Sequence, residues 1–288
     1  AAEHLFSAGG KRIRPGIVLL ISRALAADGE LTPRHRRLAE ITEMIHTASL
    51  VHDDVVDEAS TRRGVDTVHS RFDARVAVLA GDFLFAQASW HLANLDDLDV
   101  VKLLSRVIMD LADGEIKQGL YRFDTSQSFE TYFEKSYCKT ASLIANSSRA
   151  AGVLSECNPE QLHSLYQFGR QLGLAFQVVD DILDFTGSDQ QLGKPAASDL
   201  ATGYLTAPTF YALEENPDLG ALIDREFKET GDLERALDIV RSSQAIPRTR
   251  ELAEKFARES RESIAWMADS PSKRALLELP DFVLSRLY

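Results

Sequence analysis

His46-Thr-Ala-Ser-Leu-Val-His52-Asp53-Asp54-Val55-Val56-Asp57 and Phe176-Gln177-Val178-Val179-Asp180-Asp181-Ile182-Leu183-Asp184 are two largely apolar stretches that each end in Asp-Asp-x-x-Asp. At helical period Asp53 stacks on Asp57 and Asp180 on Asp184, while Val55-Val56 and Ile182-Leu183 turn toward a core. Like charges at that spacing repel, and burying them unpaired costs more. A chain that does this twice needs a compensating cation. Carboxylate oxygens without cysteine suit a hard ion such as Mg²⁺, which keeps part of its water shell and bridges carboxylates to phosphate oxygens. One such box is commonly a solvated acidic face. Two on apolar helices point to a diphosphate–Mg²⁺ site between two facing helices.

Around the boxes, helical periodicity dominates. Pro15 sits in a first helical turn, followed by an apolar run to Leu25. Further helices are expected near 36–57, 75–95, 98–121, 129–137, 140–156 and 159–186, with shorter ones near 207–215, 232–242, 248–268 and 271–288. Good helix formers fill them, and no alternating strand pattern competes. The expected fold is all-α: a single-domain helix bundle around a deep central cavity, spanning residues 1–288 because no Pro-, Gly- or Ser-rich linker divides them. Hydrophobic residues make up 44% of the chain, enough for a large core.

A net charge of −12 argues against nucleic acid and anionic lipid as partners. Cys138 and Cys157 are too few for a disulfide framework, so a reducing compartment is expected: the cytoplasm, or an organelle stroma or matrix. No apolar run is expected to span a bilayer. The chain opens Ala1-Ala2-Glu3-His4 without methionine, so the natural N-terminal helix or helices, and any targeting segment, are expected upstream.

An acidic protein can still bind anions where its cations gather. Gly9-Gly10-Lys11-Arg12-Ile13-Arg14-Pro15 places three cations on a glycine turn before a helix. Arg62-Arg63-Gly64 follows the first box, Lys139-Thr140 opens a helix, and Gly193-Lys194 follows the second box. Arg forks and Lys point charges are the usual phosphate binders, and Gly64 and Gly193 would let the backbone turn. Any one of these is ordinarily a surface charge; their order beside both boxes makes them a set. His46 shares the face of Asp53 and could hydrogen-bond a phosphate or be a satisfied core histidine. Gln177 lies beside Asp180 and Asp181, as a diphosphate donor or a polar residue at a cavity edge.

Together these motifs, with Ala80-Gly81-Asp82-Phe83-Leu84, Lys139-Thr140-Ala141 and Leu192-Gly193-Lys194-Pro195, resemble the trans-type isoprenyl (polyprenyl) diphosphate synthases over nearly the whole chain. The resemblance implies the isoprenoid synthase fold. It also implies an enzyme joining isopentenyl diphosphate to an allylic diphosphate, and a homodimer. By it, Asp53, Asp57 and Asp180 ligate Mg²⁺, with Asp54, Asp181 and Asp184 in direct or water-mediated support. Arg62, Lys139 and Lys194 hold the allylic diphosphate with Gln177 and Thr140 nearby, and Lys11, Arg14, His46 and Arg63 hold isopentenyl diphosphate. The chain departs from the resemblance at Ser198 and Tyr204, where many relatives carry lysine; the allylic end is less basic here.

The chemistry then expected is ionisation of the allylic C–O bond, attack by the isopentenyl double bond, and loss of a proton to the departing diphosphate. The tail should grow down from the first box past Ala48 and Ser49, with Ile45 a turn deeper. In the family, bulky aromatics there give short products. Ala48 and Ser49 are small, so a long-chain product is expected, of a kind that passes to a membrane enzyme. Alternatives are a geranylgeranyl or farnesyl diphosphate synthase and a non-catalytic subunit of a heteromeric synthase. An HD-type phosphohydrolase, prompted by His52-Asp53, leaves the second box unexplained. A terpene cyclase would not need the Gly-Gly-Lys-x-x-Arg segment.

Overall fold

The computed structural model describes residues 10–187 and 197–287. Among them the elements are overwhelmingly helical: α1 Ile13–Leu25, α2 Pro33–Val56, α3 Val68–Arg71, α4 Ala74–Ala93, α5 Leu98–Leu120, α6 Phe129–Ser136, α7 Ser142–Leu154, α8 Pro159–Thr186, α9 Ser198–Ala201, α10 Ala207–Glu215, α11 Asp218–Asp224, α12 Asp232–Ser242, α13 Ala245–Ser263 and α14 Pro271–Leu284. Several begin where capping chemistry dictates. Thr32 accepts from the His35 N–H ahead of Pro33 at the first turn of α2, Asp73 accepts from Val76 N–H at α4, and Ser128 from Thr131 N–H at α6.

The chain divides into two compact units. The first holds residues up to Met109 together with Leu143–Tyr166 and Trp266–Leu276. There α2 packs on α1 and α4, and Ile17, Val18, Ile21, Leu38, Ile41, Ile45 and Ala48 are buried. The second unit holds Asp110–Ser142, Gln167–Ala265 and the chain from Leu277. In it α10 packs on α13, over a core that includes Tyr132, Phe185, Leu205, Phe210, Leu222 and Val240.

Three features differ from the sequence expectation. Thr61–Arg62 pairs antiparallel with Val65–Asp66. Two residues per strand are too short to show alternation, but Arg63 and Gly64 both have positive φ, 53° and 79°, the requirement of a type I′ hairpin turn. The helix expected near 140–156 starts at Ser142, preceded by a π-helical turn, Tyr137–Ala141. The short helices α3, α9 and α11 carry too few periods to read from sequence.

A fourth difference corrects the expectation about membrane length. α4 has 20 residues and a window of mean hydropathy 1.2, long and apolar enough to cross a bilayer. Its polar residues, Arg75, Asp82, Gln87, Ser89 and His91, are spread along it. Ala77, Gly81, Leu84, Ala88 and Leu92 are buried on one side, while Leu79, Phe83 and Trp90 are exposed on another.

Candidate active site

In the first unit the box closes α2. Asp53 is half-buried, Asp57 is the exposed C-cap residue, and Asp54 is buried. The Arg62 Nε donates to Asp54 Oδ1 at 2.8 Å. Burial raises the pKa of Asp54, and the Arg62 charge and hydrogen bond oppose it. The I′ turn therefore delivers Arg62 to the box, and that contact occupies only one of its five N–H donors.

The hairpin's Arg63 reaches the N-terminal glycine turn. A side chain at Gly10 (φ 143°) would collide with the Arg63 guanidinium, its Cβ falling 2.4 Å from Nη1. Arg14 Nη1 lies 3.1 Å from His46 Nε2. Arginine only donates, so Nε2 accepts and the ring proton sits on Nδ1. Burial and then the neighbouring Arg14, Arg63 and Arg62 drive the His46 pKa down to about 2. His46 is thus neutral, a spacer among guanidiniums rather than a further cation. Arg14, Arg62 and Arg63 all lie close enough to His46 for their charges to act on it; Arg62, expected with the allylic set, thus neighbours the other group, and Lys11 is exposed.

In the second unit, Asp181 and Asp184 are each 1% exposed. Asp181 Oδ2 accepts from Tyr132 Oη at 2.5 Å and from Ala207 N–H at 3.4 Å, and Oδ1 accepts from Gln177 Nε2 at 2.9 Å. Thr140 Oγ1 in turn donates to Gln177 Oε1 at 2.7 Å, which fixes the amide orientation. Burial raises the Asp181 pKa to about 7, against the pull of the Tyr132 and Gln177 hydrogen bonds. Asp184 accepts from Ser198 Oγ and Asp199 N–H, each at 3.2 Å. Both carboxylates are thus hydrogen-bonded into the walls of the site. Asp180 is half-buried, and Arg286 Nη1 pairs with it at 2.7 Å while its guanidinium lies 4.7 Å from the Phe176 ring.

Lys139 sits on the π turn, a local geometry common at functional sites. Its Nζ is 2.5 Å from Glu115 Oε1 and 2.9 Å from Gln118 Oε1. Gly114 and Gly173 make room for this turn: a Cβ on Gly114 would lie 2.8 Å from Lys139 Cγ, and one on Gly173 2.5 Å from Ala141 Cα. Lys194 lies outside the described residues. Ala48 and Ile45 are fully buried, and Ser49 Oγ donates to the His46 carbonyl. A cavity of about 360 Å³ lies elsewhere, between the end of α1 and the Leu154–Glu156 turn. It contains none of these residues; its buried His35 is held by Thr32 and Ser155.

Among the described residues no three His, Cys, Asp or Glu side chains converge tightly enough to hold a metal ion by themselves. The donors that the boxes offer, half-buried Asp53 and Asp180 and exposed Asp57, are carboxylate oxygens, the kind a hard divalent cation takes. Asp180 already draws a cation, the Arg286 guanidinium. Sequence reasoning missed Tyr132, Glu115, Lys135 and Arg286. Of these only Lys135 carried a signal, lying four residues before Lys139.

A family model described as polyprenyl synthetase matches residues 1–240. A prenyl transferase of Synechocystis sp. is 64% identical over 288 residues, covering 100% of this chain and 89% of that protein. Solanesyl diphosphate synthase 2, chloroplastic, of Arabidopsis thaliana is 54% identical over 290 residues, covering 100% of this chain and 70% of that one. A polyprenyl synthase from Caulobacter crescentus, solved in complex with calcium and isoprenyl diphosphate, superposes with a TM-score of 0.90 at 35% identity, covering 99% of this chain and 88% of that one. Motifs, helical architecture and likeness over the full length agree: this chain belongs to the polyprenyl synthetase family.

Proposed function

We propose that the chain is a magnesium-dependent trans-prenyltransferase that condenses isopentenyl diphosphate with an allylic diphosphate, head to tail, into a long-chain polyprenyl diphosphate. The observation that carries this reading is the gathering of Arg14, Arg62 and Arg63 around a neutral His46 beside the first aspartate box. Such a cluster suits a dense anion, and a diphosphate supplies one. Relatives described as a prenyl transferase and a solanesyl diphosphate synthase support the same chemistry.

Asp53, Asp57 and Asp180 would hold Mg²⁺, which when bound neutralises charge on the departing diphosphate. Arg62, Lys139 and Lys194 orient the allylic diphosphate, with Thr140 and Gln177 beside them. Lys11, Arg14, His46 and Arg63 keep isopentenyl diphosphate alongside, so that its double bond meets the allylic cation as the C–O bond breaks. The proton lost in that step goes to the departing diphosphate; no side-chain base is assigned. Residues 1–288 work as one catalytic domain, with both boxes serving the same turnover. The reaction belongs in a cytoplasmic or stromal setting, and the product passes to a membrane enzyme.

The homodimer reading is supported by the exposed stripe Leu79, Phe83 and Trp90 on α4, a spacing of four and seven residues that keeps them on one face. A second copy of the chain is the proposed cover. Sedimentation should give a dimer, and Phe83→Glu should shift it toward monomer; an unchanged sedimentation coefficient overturns this assignment. The activity is tested by incubating the protein with Mg²⁺, labelled isopentenyl diphosphate and farnesyl or geranylgeranyl diphosphate, then sizing the products. Prenyl chains longer than geranylgeranyl are expected, and Ala48→Phe should shorten them by one or more isoprene units. No turnover with any allylic primer would overturn the proposal in favour of a non-catalytic subunit.

A further inference from the structure

Lys135 is a lysine that neither box explains. It is 9% exposed, and its Nζ donates to the Leu205 carbonyl at 3.5 Å, with the Tyr132 ring centre 5.9 Å away. Lysine is almost never buried without a partner, and a single carbonyl at that distance is a weak one. Burial lowers its pKa, while the nearby carboxylates of Asp181, Asp199 and Glu115 act to raise it. The Lys139 charge is close enough to be felt as well. Lys135 therefore belongs to the same group of side chains as Lys139, Gln177 and the second box.

Its hydrogen-bond partner is informative. Leu205 follows Tyr204, and Ser198 opens α9, the two positions where family resemblance leads to an expectation of lysine. Neither side chain supplies a charge here. Ser198 Oγ is engaged with Asp184, and the Tyr204 ring lies 5.6 Å from the Arg122 guanidinium. The segment that lacks cations is thus the one Lys135 reaches from α6. A lysine on a flexible four-carbon stem, with three donors on its ammonium, can exchange a carbonyl for a phosphate oxygen without moving its helix.

We propose that Lys135 is a further substrate-binding residue, supplying to the allylic diphosphate the cation that Ser198 and Tyr204 do not. This rests on the prenyltransferase reading. The competing account is that Lys135 only ties down the Leu205 carbonyl.

Lys135→Gln separates the two, because glutamine retains a donor for that carbonyl and removes the charge; Lys135→Met removes both. Steady-state kinetics with Mg²⁺, farnesyl diphosphate and isopentenyl diphosphate should show the KM for farnesyl diphosphate raised about tenfold in both variants. The KM for isopentenyl diphosphate should change less than twofold. Adding Tyr204→Lys to Lys135→Gln should recover most of the loss. Should Lys135→Met fail to fold, Lys135→Gln alone decides. A Lys135→Gln variant with wild-type KM for farnesyl diphosphate, or with both KM values raised equally, overturns the inference. Absence of turnover in the unsubstituted protein would overturn the prenyltransferase reading instead.

Discussion

Asp54 and Asp181 are the second carboxylates of two identically spaced boxes, and both are buried. Asp54 faces a cation, Arg62, delivered by a hairpin turn. Asp181 faces neutral donors: a tyrosine hydroxyl, a glutamine amide and a backbone N–H. Burial raises both pKa values, yet only beside Asp54 does a bonded guanidinium oppose it; Asp181 is left at about 7. The third carboxylates differ as well, Asp57 exposed at a helix end and Asp184 enclosed. One motif thus serves two constructions. Around the first box, a guanidinium is bonded directly to the buried second carboxylate; around the second, neutral donors hold that carboxylate and orient Gln177, while the cations Lys135 and Arg286 stand beside Asp181 and Asp180. A charged pair and a hydrogen-bonded network answer differently to salt, pH and truncation, so the contrast can be tested.

The largest effect should come from the residue that the two boxes share in role. Asp53→Asn and Asp180→Asn should each lower kcat/KM about a thousandfold, ~4 kcal/mol of transition-state stabilisation. Far-UV circular dichroism should be unchanged. A loss below tenfold in either would remove that aspartate from the metal-binding set. Next come the partners of the second carboxylates. Arg62→Gln and Tyr132→Phe should each cost about 1–3 kcal/mol of stability, the penalty of leaving a buried acceptor short of a donor. The two should then part company: in 1 M NaCl, where screening is short-ranged, the Arg62→Gln deficit should shrink and the Tyr132→Phe deficit should persist. Equal salt responses in urea unfolding would erase the distinction drawn above.

The smallest effect at any one pH step concerns His46, whose pKa falls from 6.5 to about 2 on folding. Between those values the unfolded chain binds a proton that the native state does not, so stability is full above pH 6.5 and drains as pH falls. The full slope of about 1.4 kcal/mol per pH unit is reduced to roughly 1 by partial solvent access. His46→Gln should therefore flatten the decline between pH 6.5 and 4, read from urea midpoints. Parallel profiles for the two proteins would mean that His46 is not held neutral.

Much of this was written locally in the chain. The boxes, the Gly-Gly-Lys-x-x-Arg turn and Arg62-Arg63-Gly64 announce carboxylate pairs and cations because helical stacking and turn geometry depend only on near neighbours in sequence. The long helices were legible for the same reason. What the sequence could not assign was which carboxylate would be buried and by whom. Tyr132 lies 49 residues from Asp181, and Lys135 lies 70 from Leu205. Burial is a property of what packs against a residue, and those neighbours arrive from distant segments. The residues that carry charge were therefore fixed by spacing, while their neutral, paired or enclosed state was decided only when the tertiary structure supplied a donor and removed the water.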